Sequence, residues 1–301
     1  MLLSPRLALK WLGTMSWLMA LLYSNMVSSK AAPLPPLAAD NQQPSQIQID
    51  GKGVLVLTRE WQYRLHRGSV IIIPPPGTDA RAQGLPGYLA RQLSVLGWST
   101  FSLTPPPAAP KLNFTTSVAA VNEAGNGQMH DTGNQLTRQR SDGDWQQLQQ
   151  RQQHYLQQGL AQLQTSAQAF TGKQLLVAIG PSGPLLMQLL QQQQLQAPDL
   201  LVLINPYTEP TAANDKLAAL LGQLAFPVLD IQSPDANPAS LGTRQQRLQV
   251  LESHPERHSR QQLLALDLTQ QSAYERCLQL INQMGSAMLP APALMSPNQQ
   301  P

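Results

Sequence analysis

Over most of its 301 residues the chain alternates short apolar runs with longer stretches in which apolar side chains recur at helical spacing. Residues 53–58 and 69–73 predict two strands, with Val54, Val56, Val70, Ile71, Ile72 and Ile73 supplying β-branched character. Residues 88–96 have helical spacing and stop at Gly97, after which 98–103 reads as another strand ending at Pro105, Pro106 and Pro107. Trp145, Leu148, Tyr155, Leu156, Leu160 and Leu163 then mark one face of a long amphipathic helix. Further short runs at 174–179, 200–204, 226–231 and 263–268 alternate with helical patterns at 185–195, 216–224, 244–251 and 274–284. Strands that alternate with helices imply an α/β fold, a mostly parallel sheet with helices on both faces.

The ends and one internal stretch break this rhythm. Residues 1–29 carry Arg6 and Lys10, an apolar stretch from Trp11 to Tyr23 and small residues at Val27, Ser28 and Ser29, the pattern of a cleavable signal peptide. Residues 30–50 are rich in Pro and Ala and read as a linker, which leaves 51–285 as the folded domain. Residues 105–144 bring Pro, Gly, Asn and Ser with few apolar anchors, a flexible insertion, and 286–301 reads as a disordered tail.

Composition narrows the functional classes. The chain holds 41 glutamines against 37 charged residues, so neutral amides carry much of its solubility. Its formal charge of +3 falls to +1 once the first 29 residues are removed, which gives no general grip on nucleic acid or anionic lipid. The glutamine tracts read as solvated helix faces, because regular apolar anchors interrupt them. Cys277 is the only cysteine, which excludes an intramolecular disulfide and a cysteine-based metal cluster. Export without disulfides points to a bacterial periplasm. After cleavage no membrane span is expected, and no cofactor, metal or specific partner is indicated by any motif. His254 and His258, four apart, flank Pro255 and read as a surface patch.

Ligand crevices of open parallel sheets lie beyond the C-terminal strand ends. There the sequence Ile179-Gly180-Pro181-Ser182-Gly183-Pro184 takes a predicted strand into a turn and then a helix. Gly180 and Ser182 fit the first three positions of a G-x-S-x-G nucleophile elbow, in which small neighbours let an exposed serine sit on a strained turn. Pro184 stands where the last glycine belongs, and proline is tolerated in the first turn of a helix. Gly183 retains the N–H that an oxyanion hole needs.

In the order of these segments the chain resembles the α/β-hydrolase superfamily over roughly residues 54–284. It looks most like an uncharacterised proteobacterial family of exported hydrolase-like proteins, the domain of unknown function 3530. The resemblance rests on the loop after Ile73, the stretch 89–103 with Gly97-Trp98, the elbow at Gly180 to Pro184, Asn205-Pro206-Tyr207 after an apolar run, and 226–231 with Asp230. It implies Ser182 as nucleophile, Asp235 as acid with Asp230 as fallback, and Gly183 with Thr78 as oxyanion donors. It also implies a histidine just after the final strand, where residues 268–272 hold none. His258 is the remaining candidate base, although it precedes that strand. A serine needs an adjacent base to become a nucleophile. The reading is therefore of a catalytically degenerate scaffold acting as a binding or interaction module. The alternative is a serine esterase or acyl hydrolase using Ser182, Asp235 and His258.

Overall fold

The computed structural model describes residues 41–110 and 141–289. They build one eight-stranded sheet with the strand order β1-β2-β4-β3-β5-β6-β7-β8. The strands are β1 (Gln43–Ile49), β2 (Lys52–Arg59), β3 (Gly68–Ile73), β4 (Trp98–Leu103), β5 (Lys173–Ile179), β6 (Leu200–Ile204), β7 (Val228–Gln232) and β8 (Arg260–Leu263). Pairing is antiparallel for β1–β2 and β2–β4 and parallel from β4 across to β8.

Alternation along each strand sets the two faces of the sheet. Leu176 and Ala178 of β5 face one way, into a core closed by α2 (Asp142–Ala167), α3 (Ser182–Gln191), α5 (Leu217–Gly222) and α6 (Pro238–Glu252). Leu175, Val177 and Ile179 face the other way, against α1 (Leu85–Val95) and α7 (Gln271–Ala287). A short helix, α4 (Thr211–Asn214), follows β6. Ser141 caps α2 by accepting the Asp144 N–H at 3.2 Å, and Asp142 and Asp144 in its first turn complement the helix dipole. Cys277 is fully buried on α7, and burial pushes its thiol up to about 12, so it packs as a small apolar side chain. Among the described residues no helix is long and apolar enough to cross a membrane.

Several boundaries differ from the sequence reading. β1 lies inside the stretch expected to be a linker, paired to β2 through the turn at Asp50-Gly51, where both residues have positive φ as a two-residue hairpin turn requires. Its alternating polar residues hid it, because an edge strand is apolar on one face only. Helix α2 begins at Asp142, inside the expected insertion, and α7 continues to Ala287, past the expected domain end. Pro105 and Pro106, at the start of that insertion, are buried. The last strand is Arg260–Leu263 instead of 263–268, since the polar sequence Arg-Gln-Gln-Leu gives no apolar run. The expected signal peptide, insertion residues 111–140 and the tail from residue 290 lie outside the described residues.

The glutamines of α2 are not simply solvated. Gln162 accepts the Gln48 N–H at 3.1 Å and donates to the Gln48 carbonyl at 2.7 Å, so one amide side chain pairs with β1 as a strand would. Gln164 makes the same two-way clamp on Gln196, and Gln158 accepts from the Asp50 N–H at 3.0 Å. Gln152 donates to the Pro107 carbonyl at 2.9 Å, fixing the chain just after β4. These bonds satisfy backbone groups that edge strands and loops leave open.

Candidate functional site

Strands β3, β5, β6 and β7 end on one edge, and their loops meet above Gly180. The chain leaves β5 at Ile179 and enters α3 at Ser182, with Pro181 as the cap. The turn between them is made by Gly180, whose φ is +57°. This left-handed conformation is what a strand-to-helix elbow demands of its apex residue, and glycine adopts it freely. The Gly180 N–H is fixed by the Ile204 carbonyl at 2.8 Å, and the Gly180 carbonyl accepts the Gly183 N–H at 3.1 Å.

The apex is therefore two residues earlier than the G-x-S-x-G reading placed it. Ser182 has helical backbone, is 0% exposed, and donates its hydroxyl to the Pro74 carbonyl at 2.6 Å. It ties the start of α3 to the loop after β3. A Cβ built on Gly180 would project between Tyr207 and Pro75, meeting them at 3.7 and 4.0 Å. The elbow thus points an absent side chain into the crevice and turns its serine inward.

The other candidates are placed as follows. Asp235 follows β7, as expected, and its Oδ1 accepts the Ser233 hydroxyl at 2.5 Å and the Leu268 N–H at 3.0 Å. Leu268 stands in the loop where the resemblance implied a histidine, so Asp235 braces that loop through backbone. The fallback, Asp230, is fully buried below the edge in an ion pair with Arg247 at 2.9 Å and also accepts from Gln261 at 2.8 Å. A polar chain joins this pair to Asp235: Arg247 donates to Gln232, Gln232 to Asn205, Asn205 to Ser233, and Ser233 to Asp235. Of the expected oxyanion donors, Gly183 already donates to Gly180, and both the N–H and the hydroxyl of Thr78 donate to the Pro75 carbonyl, at 3.3 and 2.7 Å.

The structure does not bring His258 to this group. It precedes β8 at the opposite edge of the sheet, two residues before Arg260, which pairs with Leu229. Gly180 follows Ile179, level with Ile204 and Ile231. At about 3.3 Å per residue the two edges are roughly 15 Å apart along the strands, before the lateral offset from β5 to β8 is added. His66 lies at that far edge too, 3.1 Å from Ser99, and His254 pairs with Glu256. His154 is bound to Asp50 and Gln158 at the β1–β2 hairpin. His130 lies outside the described residues.

Above Gly180 lies a cavity of about 190 Å³ lined by Pro75, Trp145, Pro181, Pro184 and Tyr207. Trp145, Gln149, Pro184 and Thr208 also line a larger groove of about 790 Å³ that runs between α2, α3 and α5. Burial first, and then the charge of Glu209, hold the Tyr207 hydroxyl above its ordinary range, against a hydrogen bond with Asn237. Aromatic rings, prolines and neutral amides dominate this surface. Its charged residues are Glu209 in the cavity and Asp142 and Lys216 in the groove, and no imidazole is among its lining residues, so it is suited mainly to packing and hydrogen bonding. Among the described residues no three acidic, histidine or cysteine side chains are grouped to hold a metal ion.

Sequence reasoning placed Gly180 and Tyr207 within motifs but gave neither of them a role of its own at the site. The signal was available: the apex of a strand-to-helix elbow follows the last strand residue directly, and Gly180 follows Ile179. The serine drew attention because it carries chemistry.

The sheet order, parallel core and flanking helices are those of the α/β hydrolases. The chain superposes on a dienelactone hydrolase from Anabaena variabilis with a TM-score of 0.53 and 14% identity, covering 83% of this chain and all of that one. An esterase domain from Rhodothermus marinus matches at 0.50 and 9% identity, over 82% of this chain and 98% of that one. A cold-adapted esterase from an Arctic intertidal metagenomic library also matches at 0.50 and 9% identity, over 80% and 93% of the two chains. At such identities the likeness establishes the fold alone. The sequence matches no curated protein. Within this class the chain belongs to the family described as Protein of unknown function (DUF3530), whose model matches residues 30–282.

Proposed function

We propose that this protein is an exported binding module that keeps the α/β-hydrolase scaffold without acyl-transfer chemistry. One observation carries the reading: the elbow apex is Gly180, with no side chain to attack a substrate, while the Ser182 hydroxyl is buried and committed to Pro74. Acyl transfer by serine needs a base within direct contact or one water of the hydroxyl. The candidate His258 belongs to the other edge of the sheet. The crevice lined by Tyr207, Trp145 and Pro75 is then a recognition surface, and its lining, neutral apart from Glu209, favours a ligand without negative charge. Export is supported by the basic start, apolar stretch and small residues of 1–29, and by a single cysteine in a periplasmic setting.

Fluorophosphonate labelling of the purified protein, with Ser182→Ala alongside, tests the reading. Folded protein is expected to remain unlabelled. Labelling that disappears in Ser182→Ala would instead establish the serine esterase, with an activated Ser182 and a base outside the described arrangement. Fractionation of cells, with the processed chain recovered in the periplasm, tests export.

A further inference from the structure

On the far side of the molecule, β8 and α7 enclose a groove of about 510 Å³ that is separate from the elbow crevice. Its floor is apolar. Leu229 of β7 contributes from the sheet, and Leu280, Met284 and Met288 contribute from α7. Arg276, Leu280 and Met284 are spaced four apart and share one stripe of the helix. Leu280 is buried, whereas Met284 and Met288 are only half-buried, leaving flexible thioether side chains open at the surface. Methionine at an open apolar surface adapts to a bound chain.

Two cations line this apolar floor. Arg260 is the register partner of Leu229 and faces α7 beside it, and Arg276 enters from the helix. Both are exposed, and neither makes an ion pair among the described residues; Arg276 reaches only the Gln279 amide oxygen, at 3.4 Å. No carboxylate lines the groove. The nearest acid in sequence, Glu275, acts on Tyr88 of α1. In a chain with 12% charged residues, two uncompensated guanidinium groups over an apolar floor are a specific arrangement. Guanidinium groups bind carboxylates through paired, charge-assisted hydrogen bonds, and the volume is within the range of small-molecule sites.

We propose that this groove binds a fatty acid, with its carboxylate held by Arg260 and Arg276 and its alkyl chain laid along Leu229, Leu280, Met284 and Met288. The probe is dodecanoate, titrated calorimetrically into the purified protein below its micellar concentration. Saturable binding at one site is expected, with Arg260→Gln and Arg276→Gln each weakening it at least about fivefold, in line with the loss of a charge-assisted hydrogen bond. Dodecanol, which has the chain without the charge, is expected to bind more weakly. Both arginines are exposed, so these variants should fold, as circular dichroism will show. Ala287→Trp, which fills the groove from α7, is expected to block binding while leaving both charges in place. An absence of saturable binding would overturn the proposal. So would an Arg260→Gln/Arg276→Gln double variant that binds as the parent does, or retention on anionic vesicles without binding of monomeric dodecanoate.

Discussion

If Gly180 is the elbow apex, giving it a side chain costs stability through the backbone alone. Gly180→Ala places a Cβ on a residue with φ of +57°, and the nearest atoms, in Tyr207 and Pro75, are at ordinary contact distances of 3.7 and 4.0 Å. No overlap adds to the penalty. The left-handed conformation costs an L-residue about 1–2 kcal/mol. Against this, alanine restricts the unfolded chain and returns about 0.4–1 kcal/mol. The net expectation is a loss of about 1 kcal/mol, or some 2–4 °C in Tm for a domain of this size. Gly242 provides the contrast. It is exposed in α6, a Cβ there meets nothing within 4 Å, and its backbone is helical, so Gly242→Ala should gain about 0.5–1 kcal/mol. Urea unfolding followed by circular dichroism, with unchanged m-values, reads both shifts. If Ser182 were the apex, as G-x-S-x-G implies, residue 180 would tolerate alanine. A Gly180→Ala variant that gains stability as Gly242→Ala does would refute the placement of the elbow.

Two more expectations concern buried and half-buried charge. Arg247→Leu leaves Asp230 fully buried with Oδ1 unpartnered and Gln261 its remaining donor, so urea unfolding should show a loss of about 3–5 kcal/mol, part of which Asp230→Asn restores by removing the stranded charge; a loss below about 1 kcal/mol would mean that the pair is not dry. The His66 pKa is held below its ordinary 6.5, first by burial and against a hydrogen bond with the Gly68 backbone, so the unfolded chain binds the proton more readily. Stability from this group is complete above 6.5 and is lost as pH falls through the folded value, and His66→Gln should flatten that part of the Tm–pH curve; an unchanged slope would assign it to other groups.

The core strands were legible from short apolar or aromatic-rich runs bounded by turn residues: 200–204 is wholly apolar, 98–103 carries Trp98, Phe101 and Leu103 between Gly97 and Pro105, and both match β6 and β4 to the residue. Strands β1 and β8 were not, since both lie at sheet edges and consist mostly of polar residues that pair through their backbone. At the site, the sequence located the elbow and the loop carrying Asp235. It assigned the apex to Ser182 because the motif puts the serine there, whereas the positive φ belongs to Gly180, directly after the last residue of β5. The absence of a histidine from residues 268–272 was readable directly. That Asp235 would bind the Leu268 N–H was not, because a backbone donor has no letter in the sequence. The groove between β8 and α7 was also hidden, since Arg260 and Arg276 are brought together only by the crossover from the last strand to the last helix.

The glutamine clamps on Gln48 and Gln196 hold the edge hairpin and the loop after α3 with uncharged groups. Salt weakens exposed ion pairs and screens most of the interaction between charges farther apart than a Debye length of about 8–10 Å, whereas an amide pairing with a peptide group has no net charge to screen or titrate. These amide clamps keep their grip across swings of ionic strength and acidity that would loosen pairs of lysine and glutamate.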